Sequence, residues 1–335
     1  MAVIDWKPLQ ALFARHRHFV ITSHVRPDCD ALGSELGLAE ILRRMGKQIT
    51  IVNADGIPPR LAFIDPRQQI RVLHRDVSVD QLATVEAFVV VDTSVWVQVG
   101  AMGDVLRATH CPIGVIDHHA SDGEIDATVL CKDEHAEATG RLIVELARHL
   151  GIGLTPEMAR PLFAAVATDT GWFRFPSTAS STFRVAGELL DAGAVPHEIY
   201  QMLYEQDTMA RAKLRGIALD HLIIEQEGRL AYTYLLADDF AKTAADRSET
   251  EDFVNMALTI SGTEVAMLLG EQPNGQFRVS FRSRGGAMDC SAVAAQFHGG
   301  GHRAAAGATL DGPFPAAREA LLNVVRSALA TRSNT

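Results

Sequence analysis

The stretch Ile113-Gly114-Val115-Ile116-Asp117-His118-His119 decides the fold class of this chain. Its first four residues form a short apolar run rich in β-branched side chains, which is typical of a strand buried on both faces of a parallel sheet. Three polar side chains that can bind metal follow at the end of the run. Ligands of open α/β sheets bind in the crevice at the carboxyl ends of the strands. The stretch therefore predicts a parallel strand that ends in a functional site.

Three other apolar runs also end in acidic residues or histidine: residues 19–23 precede His24, Asp28 and Asp30, residues 87–91 precede Asp92, and residues 162–168, interpreted as a buried helix, precede Asp169. Taken singly, each acidic residue has a structural explanation. Asp28 or Asp30 could cap the following helix, and Asp92 could begin a turn. Because parallel strands end at one edge of their sheet, the four run ends together predict a cluster of these side chains.

The predicted cluster contains carboxylates and imidazoles but no thiolate. These ligand types favour Mn²⁺ or Mg²⁺ over a closed structural zinc site. So many anionic groups would repel one another unless more than one divalent cation were bound. Two metals ~3.5–4 Å apart suit the hydrolysis of a phosphate ester, because both ions can hold phosphate oxygens while one activates water.

Five motifs occur in a fixed order along the chain: His-x-x-x-Asp-x-Asp at 24–30, Val-Asp-Thr at 91–93, Asp-His-His at 117–119, Thr-Asp-Thr-Gly at 168–171, and a glycine-rich stretch at 299–307. The first four resemble the motifs of the DHH phosphoesterases. The fifth, together with residues 280–283, resembles the DHH-associated domain that follows in one branch of that family. The resemblance extends from about residue 19 to residue 310. It implies an α/β fold in which a parallel-sheet DHH domain is joined by a connecting helix to a smaller mixed α/β C-terminal domain.

The same resemblance implies roles for individual residues. One metal would be bound by His24, Asp28 and Asp92, and the second by Asp30, Asp92, His118 and Asp169, so that Asp92 bridges the two. Besides Asp92, the catalytic residues would be His119, which would also contact the substrate phosphate, and Asp117, which would orient a neighbouring group. The residues that would bind a second phosphate or the nucleotide terminus are Arg282, Ser283, Gly300, Gly301 and His302.

The pattern along the chain predicts a division into 1–195, 196–225 and 226–335. Apolar strand-like runs alternate with helical patterns up to about residue 191, which indicates a parallel α/β sheet. Residues 197–222 have a continuously helical pattern and would form the connecting helix. In the last part, Asn274-Gly275 predicts a β-hairpin. Four arginines and one acidic residue, Asp289, lie between Arg278 and Arg303. This stretch is interpreted either as an anion-binding surface or as a glycine-rich connector with solvated arginines.

Composition limits the classes of function. A length of 335 residues suggests two domains. The chain has no apolar stretch of about 18 residues and no evident secretory signal, so we expect a cytoplasmic protein without a membrane partner. Its four cysteines form no Cys-x-x-Cys pair, which is typical of reduced thiols, and Cys29 is interpreted as a spacer. A net charge of −10 argues against a stable complex with long nucleic acid, but not against a small phosphorylated substrate.

Within the family, the compact two-domain form resembles the bacterial nanoRNases of the NrnA type. That resemblance implies hydrolysis of short oligonucleotides to mononucleotides, removal of phosphate from 3′-phosphoadenosine 5′-phosphate to give AMP, and two divalent cations, with Mn²⁺ preferred to Mg²⁺. The expected partner is a short oligonucleotide or a nucleotide bisphosphate, and a homodimer stays open. The alternatives are a phosphodiesterase for cyclic or linear dinucleotides, a RecJ-like exonuclease for single-stranded DNA, and a nucleotide-binding regulator without catalysis.

Overall fold

The computed structural model describes residues 4–120 and 125–330. It divides into two compact units, Met1–Gln206 and Asp207–Thr335. None of the described helices is long and apolar enough to cross a membrane.

The first unit is built on a six-stranded sheet in the order β3-β2-β1-β4-β5-β6, and all of the described strand pairs are parallel. The strands are β1 His18–Thr22, β2 Gln48–Asn53, β3 Ile70–Val72, β4 Ala87–Val91, β5 Ile113–Asp117 and β6 Val129–Lys132. The helices are α1 Lys7–Arg15, α2 Cys29–Arg44, α3 Met102–Ala108, α4 Thr139–His149, α5 Pro156–Asp169, α6 Ser180–Asp191 and α7 Pro196–Tyr204.

Both faces of this sheet are buried, which explains the uninterrupted apolar runs in its strands. Ile21 and Val89 belong to a core shared with α2, α4 and α5, whereas Val20 and Val90 belong to a second core shared with α3. Successive residues of a strand point to opposite faces, so a sheet covered on both sides requires apolar residues at every position. The predicted parallel α/β fold of this unit is confirmed.

Close packing of α2 against α5 brings together the first turn of α2 and the last residue of α5, which both contribute to the predicted cluster. A Cβ atom on Gly33 would lie 2.3 Å from the carbonyl oxygen of Pro161, and one on Gly37 would lie 2.7 Å from the side chain of Leu162. The glycines therefore permit an approach that any side chain would block. Because Asp30 lies in the first turn of α2 and Asp169 is the last residue of α5, this helix pair presents a carboxylate at each of those two ends.

The second unit is a mixed sheet in the order β11-β12-β10-β9-β8-β7. Its strands are β7 Ile223–Glu225, β8 Leu230–Leu235, β9 Val265–Glu271, β10 Phe277–Ser283, β11 Gly300–Gly301 and β12 Ala305–Leu310, and its helices are α8 Met209–Asp220, α9 Ala237–Thr243, α10 Phe253–Ala257, α11 Cys290–Ala295 and α12 Phe314–Ala330. β8 pairs with β9 in parallel, and β9 pairs with β10 through an antiparallel hairpin at Asn274-Gly275. The predicted mixed α/β class and the hairpin are confirmed.

The single connecting helix predicted over residues 197–222 is wrong. The segment forms two helices, α7 and α8, with a break between Tyr204 and Met209. Thr208 caps α8, since its hydroxyl oxygen accepts a hydrogen bond from the backbone N–H of Arg211 at 2.9 Å. Ile199 packs in the core of the first unit and Leu214 in a core of the second. The hydrophobic pattern did not predict the break because residues 205–208 contain neither glycine nor proline, and a threonine cap starts the second helix.

Candidate metal and substrate site

The carboxyl-terminal ends of three adjacent strands carry the predicted residues. His24 follows β1, Asp92 follows β4, and Asp117 is the last residue of β5. Asp92 has a left-handed backbone with φ of 62°, a conformation that is uncommon outside glycine and that concentrates at functional sites. Its backbone N–H still donates to the carbonyl oxygen of Ile116 at 2.9 Å, so the turn begins where the sheet pairing ends.

His24, Asp28 and Asp92 form a first group with ligand atoms within 4.8 Å of one another. His24 Nε2 lies 3.3 Å from Asp92 Oδ2 and 3.9 Å from Asp28 Oδ1. The other ring nitrogen of His24, Nδ1, lies 2.9 Å from the carbonyl oxygen of Val25 and serves as the donor to it. His24 therefore directs Nε2 at carboxylates while Nδ1 is held by the backbone, the arrangement found in metal-binding histidines.

Asp30, His118 and Asp169 form a second group on the same criterion. His118 Nε2 lies 3.6 Å from Asp30 Oδ2 and 3.4 Å from Asp169 Oδ2, whereas Nδ1 lies 3.1 Å from the carbonyl oxygen of Ala136. Nε2 is buried and has no hydrogen-bond partner among the described residues. A buried lone pair that faces two carboxylates is costly without a cation, so this donor set fits a metal ion.

Asp92 lies between these two groups and also forms a third group with His118 and His119. Its Oδ2 is the oxygen near His24, and its Oδ1 lies 3.6 Å from His118 Nε2 and 3.7 Å from His119 Nδ1. Burial raises the pKa of Asp92 well above its usual range, and the charges of Asp30 and other nearby aspartates raise it further. Burial, followed by repulsion from neighbouring aspartates, likewise raises the pKa of Asp169. These carboxylates can all stay ionised only if positive charge is supplied between them.

The amino-terminal end of α4 supports the cluster and was missed by the sequence analysis. The backbone N–H groups of Thr139 and Gly140 donate to the two oxygens of Asp30 at 2.7 and 2.8 Å. The hydroxyl of Thr139 donates to Asp92 Oδ1 at 3.0 Å. A Cβ atom on Gly140 would lie 2.7 Å from that of Ala165. The small residues Ala138-Thr139-Gly140 at a helix start were the available signal, because free N–H groups there favour an anion.

His119 differs from its neighbour in surroundings. Its side chain is 42% exposed against 12% for His118, and its Nδ1 donates to Asp117 Oδ1 at 2.9 Å. Asp117 is fully buried and also accepts from the hydroxyl of Ser94 at 2.7 Å. Although burial opposes the change, the hydrogen bonds from His119 and Ser94 hold the pKa of Asp117 below its usual range. The bond to Asp117 in turn raises the pKa of His119.

Asp28 combines the two explanations that the sequence left open. Its Oδ1 accepts from the backbone N–H groups of Asp30 and Ala31 at 2.9 and 3.1 Å, so it caps α2 while belonging to the first group. Cys29 instead packs in the hydrophobic core, where burial raises the pKa of its thiol to about 12. It belongs to no potential metal group in the part of the chain that the structure describes.

The predicted substrate residues of the second unit lie on β10, on β11 and directly after β11, and β12 pairs between these two strands. Arg282 of β10 pairs with Ala305 of β12, and β12 pairs with Gly300 and Gly301 of β11. Gly300, Gly301 and His302 are exposed. Ser283 is buried, and its oxygen accepts from the backbone N–H of Met288 at 2.9 Å.

Gly301 of β11 and the preceding Gly299 also have a packing reason. A Cβ atom on Gly301 would lie 2.6 Å from the Cα of Ala306, and one on Gly299 would lie 2.2 Å from the carbonyl oxygen of Gly307. Gly300, by contrast, has open space at its Cβ position. The glycine-rich stretch therefore pairs as an edge strand, and Gly300 is the position where a ligand could approach the backbone.

Comparison with known proteins identifies the family. The DHH family, N-terminal domain, matches residues 18–168, and the DHHA1 domain matches residues 227–331. The chain belongs to the DHH family and carries a DHHA1 domain, as the motifs predicted.

Two bacterial relatives align over most of the chain. The bifunctional oligoribonuclease and PAP phosphatase NrnA of Thermus thermophilus is 33% identical over 313 residues, which cover 92% of this chain and 89% of the relative. The protein of the same name from Bacillus subtilis is 29% identical, with 87% and 88% covered.

Solved structures share the fold. An exopolyphosphatase-related protein from Bacteroides fragilis superposes with a TM-score of 0.90 at 25% identity and covers 99% of this chain and 98% of its own. An exonuclease RecJ bound to manganese superposes with a TM-score of 0.55 at 15% identity and covers 98% of this chain and 96% of its own, a likeness that concerns the fold alone.

Proposed function

We propose that this protein is a divalent-metal-dependent phosphoesterase that hydrolyses short oligonucleotides to mononucleotides and converts 3′-phosphoadenosine 5′-phosphate to AMP. The observation that carries the proposal is the pair of ligand groups that meet at the two oxygens of Asp92. The names of the two NrnA relatives, and their alignment with most of this chain, support the substrate class.

The first metal would be held by His24, Asp28 and Asp92, and the second by Asp30, Asp92, His118 and Asp169. Two divalent cations bound there would polarise phosphate oxygens and lower the pKa of water. Oxygen and imidazole donors without sulfur favour Mn²⁺, with Mg²⁺ as the second choice.

His119 would contact the substrate phosphate and hold a proton for the leaving oxygen. Its exposed ring and its bond to buried Asp117 support this role, because that bond orients the ring and stabilises its protonated form. Asp117 is then a positioning residue, and the hydroxyl of Ser94 holds the carboxylate from the other side.

The second unit would bind the terminal phosphate or nucleotide through Arg282, Ser283, Gly300, Gly301 and His302. A guanidinium makes paired contacts with phosphate, and an exposed glycine adds a backbone donor without steric cost. Ser283 Oγ accepts from the backbone N–H of Met288, and its hydroxyl proton is the group that it would offer to a phosphate oxygen.

A substrate panel with bound-metal analysis tests the function. We expect the Mn²⁺-loaded protein to hydrolyse dinucleotides, short oligomers and 3′-phosphoadenosine 5′-phosphate, and to lose activity on exhaustive chelation. Asp92→Asn keeps the shape of the side chain but removes its charge, so we expect loss of bound metal and of most turnover. The control is Asp104→Asn, whose side chain is 88% exposed on α3.

Full turnover by folded Asp92→Asn would contradict the shared-ligand assignment. Hydrolysis confined to cyclic dinucleotides or to long single-stranded DNA would replace the proposed substrate class by one of the alternatives. Nucleotide binding without any hydrolysis would favour a regulator.

A further inference from the structure

A group of aromatic side chains, four of them exposed and two half-buried, begins three residues after Asp169. This aromatic ledge consists of Trp172, Phe173, Phe175, Phe183, Tyr200 and Tyr204. Phe175 is 49% exposed, Phe183 59% and Tyr204 44%. Single exposed apolar residues are ordinary, but soluble proteins seldom leave contiguous apolar patches without a binding role.

The backbone holds Phe175 beside the segment that carries Asp169. The backbone N–H of Phe175 donates to the carbonyl oxygen of Thr170 at 2.9 Å, which folds the chain back on itself. A Cβ atom on Gly171 would lie 2.4 Å from the ring of Phe175, so the ring packs directly against that glycine. The half-exposed ring therefore packs against the backbone of Gly171, two residues after Asp169.

The turn that contains Trp172 and Phe173 has a strained backbone, and packing against the core holds it in place. Trp172 and Phe173 have φ of 59° and 63°, a left-handed conformation that is costly for bulky residues and persists where the surroundings enforce it. Buried Phe163 contacts both rings at centroid distances of 5.9 and 6.0 Å, and Phe183 stacks on Phe173 at 5.4 Å. The ledge is thus a preformed surface backed by the core.

The local charge distinguishes the part of this surface around Phe175 and Phe183. Residues 170–187 contain Arg174 and Arg184 and no acidic residue, whereas Glu198 and Glu205 flank the two tyrosines of α7. A polyanion with apolar flat groups is the ligand class that complements aromatic rings with flanking arginines. Base stacking on aromatic side chains contributes affinity without a broad basic track and without sequence preference.

We infer that the aromatic ledge stacks the nucleobases of an oligonucleotide substrate, with Phe175, whose half-exposed ring packs against Gly171, as the principal stacking residue. The inference rests on the proposed function and assigns a binding site for bases to it. The ledge would accept bases of any identity. Substrates without a base at the stacked position would gain nothing from it.

A double comparison of protein and substrate tests the ledge. Phe175→Leu keeps an apolar side chain but removes the aromatic face, and Phe175→Trp restores one. The substrates are a trinucleotide and matched trinucleotides with one abasic residue at each position in turn. We expect Phe175→Leu to lower kcat/KM for the intact trinucleotide at least about fivefold, Phe175→Trp to retain it, and one abasic substrate to show no loss between wild type and Phe175→Leu. Leu130→Ala, at a 43% exposed position of β6, is the surface control.

Equal losses on intact and abasic substrates would overturn the inference, because they would show a structural effect. No loss at all would overturn it as well. If Phe175→Leu or Phe183→Ala instead lowered the molar mass in light scattering, the ledge would be a contact between copies of this chain. A wild type that turns over no oligonucleotide would refute the proposed function, whereas a wild type that does so with unaffected variants would refute the ledge alone.

Discussion

At the residue scale, the two adjacent histidines have opposite environments. His118 points its unpartnered Nε2 towards Asp30 and Asp169, while His119 is exposed and bonded to Asp117. A ring nitrogen directed at buried carboxylates suits a metal ligand, whereas an exposed ring that is hydrogen-bonded to a carboxylate suits proton transfer. The order of the two residues alone does not reveal which is which.

His118→Ala and His119→Ala should therefore fail in different ways. We expect His118→Ala to bind less metal because the second group loses its imidazole. We expect His119→Ala to keep its metal content but to lower kcat by about 10²–10⁴-fold. Bound metal per chain and steady-state kinetics on a dinucleotide measure the two effects. Identical metal contents together with identical rates would refute the separate roles.

Glu35 is a fully buried acid on α2 outside the potential metal groups. Its Oε2 accepts from the side-chain amide of Asn53 at 3.1 Å, and Asn53 Oδ1 accepts from the backbone N–H of Ser23 at 3.2 Å. Burial raises the pKa of Glu35 to about 8 despite these favourable contacts. The carboxyl group is therefore protonated in the folded protein below that pH.

The folded state should lose stability as pH rises from about 4.5 to about 8, because folded Glu35 then holds a proton that the unfolded chain has released. Glu35→Gln removes this dependence. We expect its Tm to exceed that of wild type by a few degrees at pH 8 and the difference to shrink towards pH 5. Glu40→Gln, partly exposed on the same helix, is the control. A Tm difference that does not change with pH would contradict the buried proton.

At the scale of elements, the pairing of α2 with α5 determines how closely Asp30 and Asp169 meet. Gly33 faces a backbone carbonyl of α5 that cannot move aside as a side chain would. Gly187, in α6 of the same unit, has open space at its Cβ position. The two helical glycines should therefore respond in opposite ways to the same added methyl group.

Gly33→Ala should lower the free energy of unfolding by about 1–3 kcal/mol through overpacking. Gly187→Ala should raise it by about 0.5–1 kcal/mol, since alanine loses less backbone entropy in a helix. Chemical denaturation measures both variants. We also expect Gly33→Ala to bind metal more weakly because α2 and α5 are forced apart. Equal stabilities of the two variants would show that the helices can separate without cost.

At the scale of the whole molecule, positive charge is local and the surface as a whole is acidic. The arginines between Arg278 and Arg303 and the pair in residues 170–187 are two local features suited to an anionic substrate. Affinity for long nucleic acid grows with the number of phosphates that a basic surface neutralises. With a net charge of −10, little should be gained beyond the first few nucleotides.

We therefore expect dinucleotides to pentanucleotides to be cleaved faster than an oligomer of about 20 nucleotides. Arg282→Ala should lower kcat/KM for the short substrates about tenfold, by loss of a charge-assisted phosphate contact. Lys242→Ala, which removes an exposed positive charge on α9 of the same unit, is the control. Faster cleavage of the long oligomer, with unchanged kinetics of Arg282→Ala, would favour a RecJ-like exonuclease.

The sequence by itself determined the family, the parallel sheet and the positions that carry metal-competent side chains. Local signals sufficed for these features. Apolar runs mark strands buried on both faces, and polar residues at the ends of such strands are expensive unless they bind something. The hairpin at Asn274-Gly275 was likewise readable, because it depends on the preference of two adjacent residues.

Only the tertiary structure decided how the site is supported and where the chain divides. The amides of Thr139 and Gly140 reach Asp30 across more than a hundred residues of sequence, and no local pattern records that contact. The packing of Phe175 on Gly171 and the break at Thr208 depend on backbone turns that hydrophobic periodicity does not encode. Periodicity reports which face of an element is buried, whereas contacts between elements follow from how closely their backbones can approach.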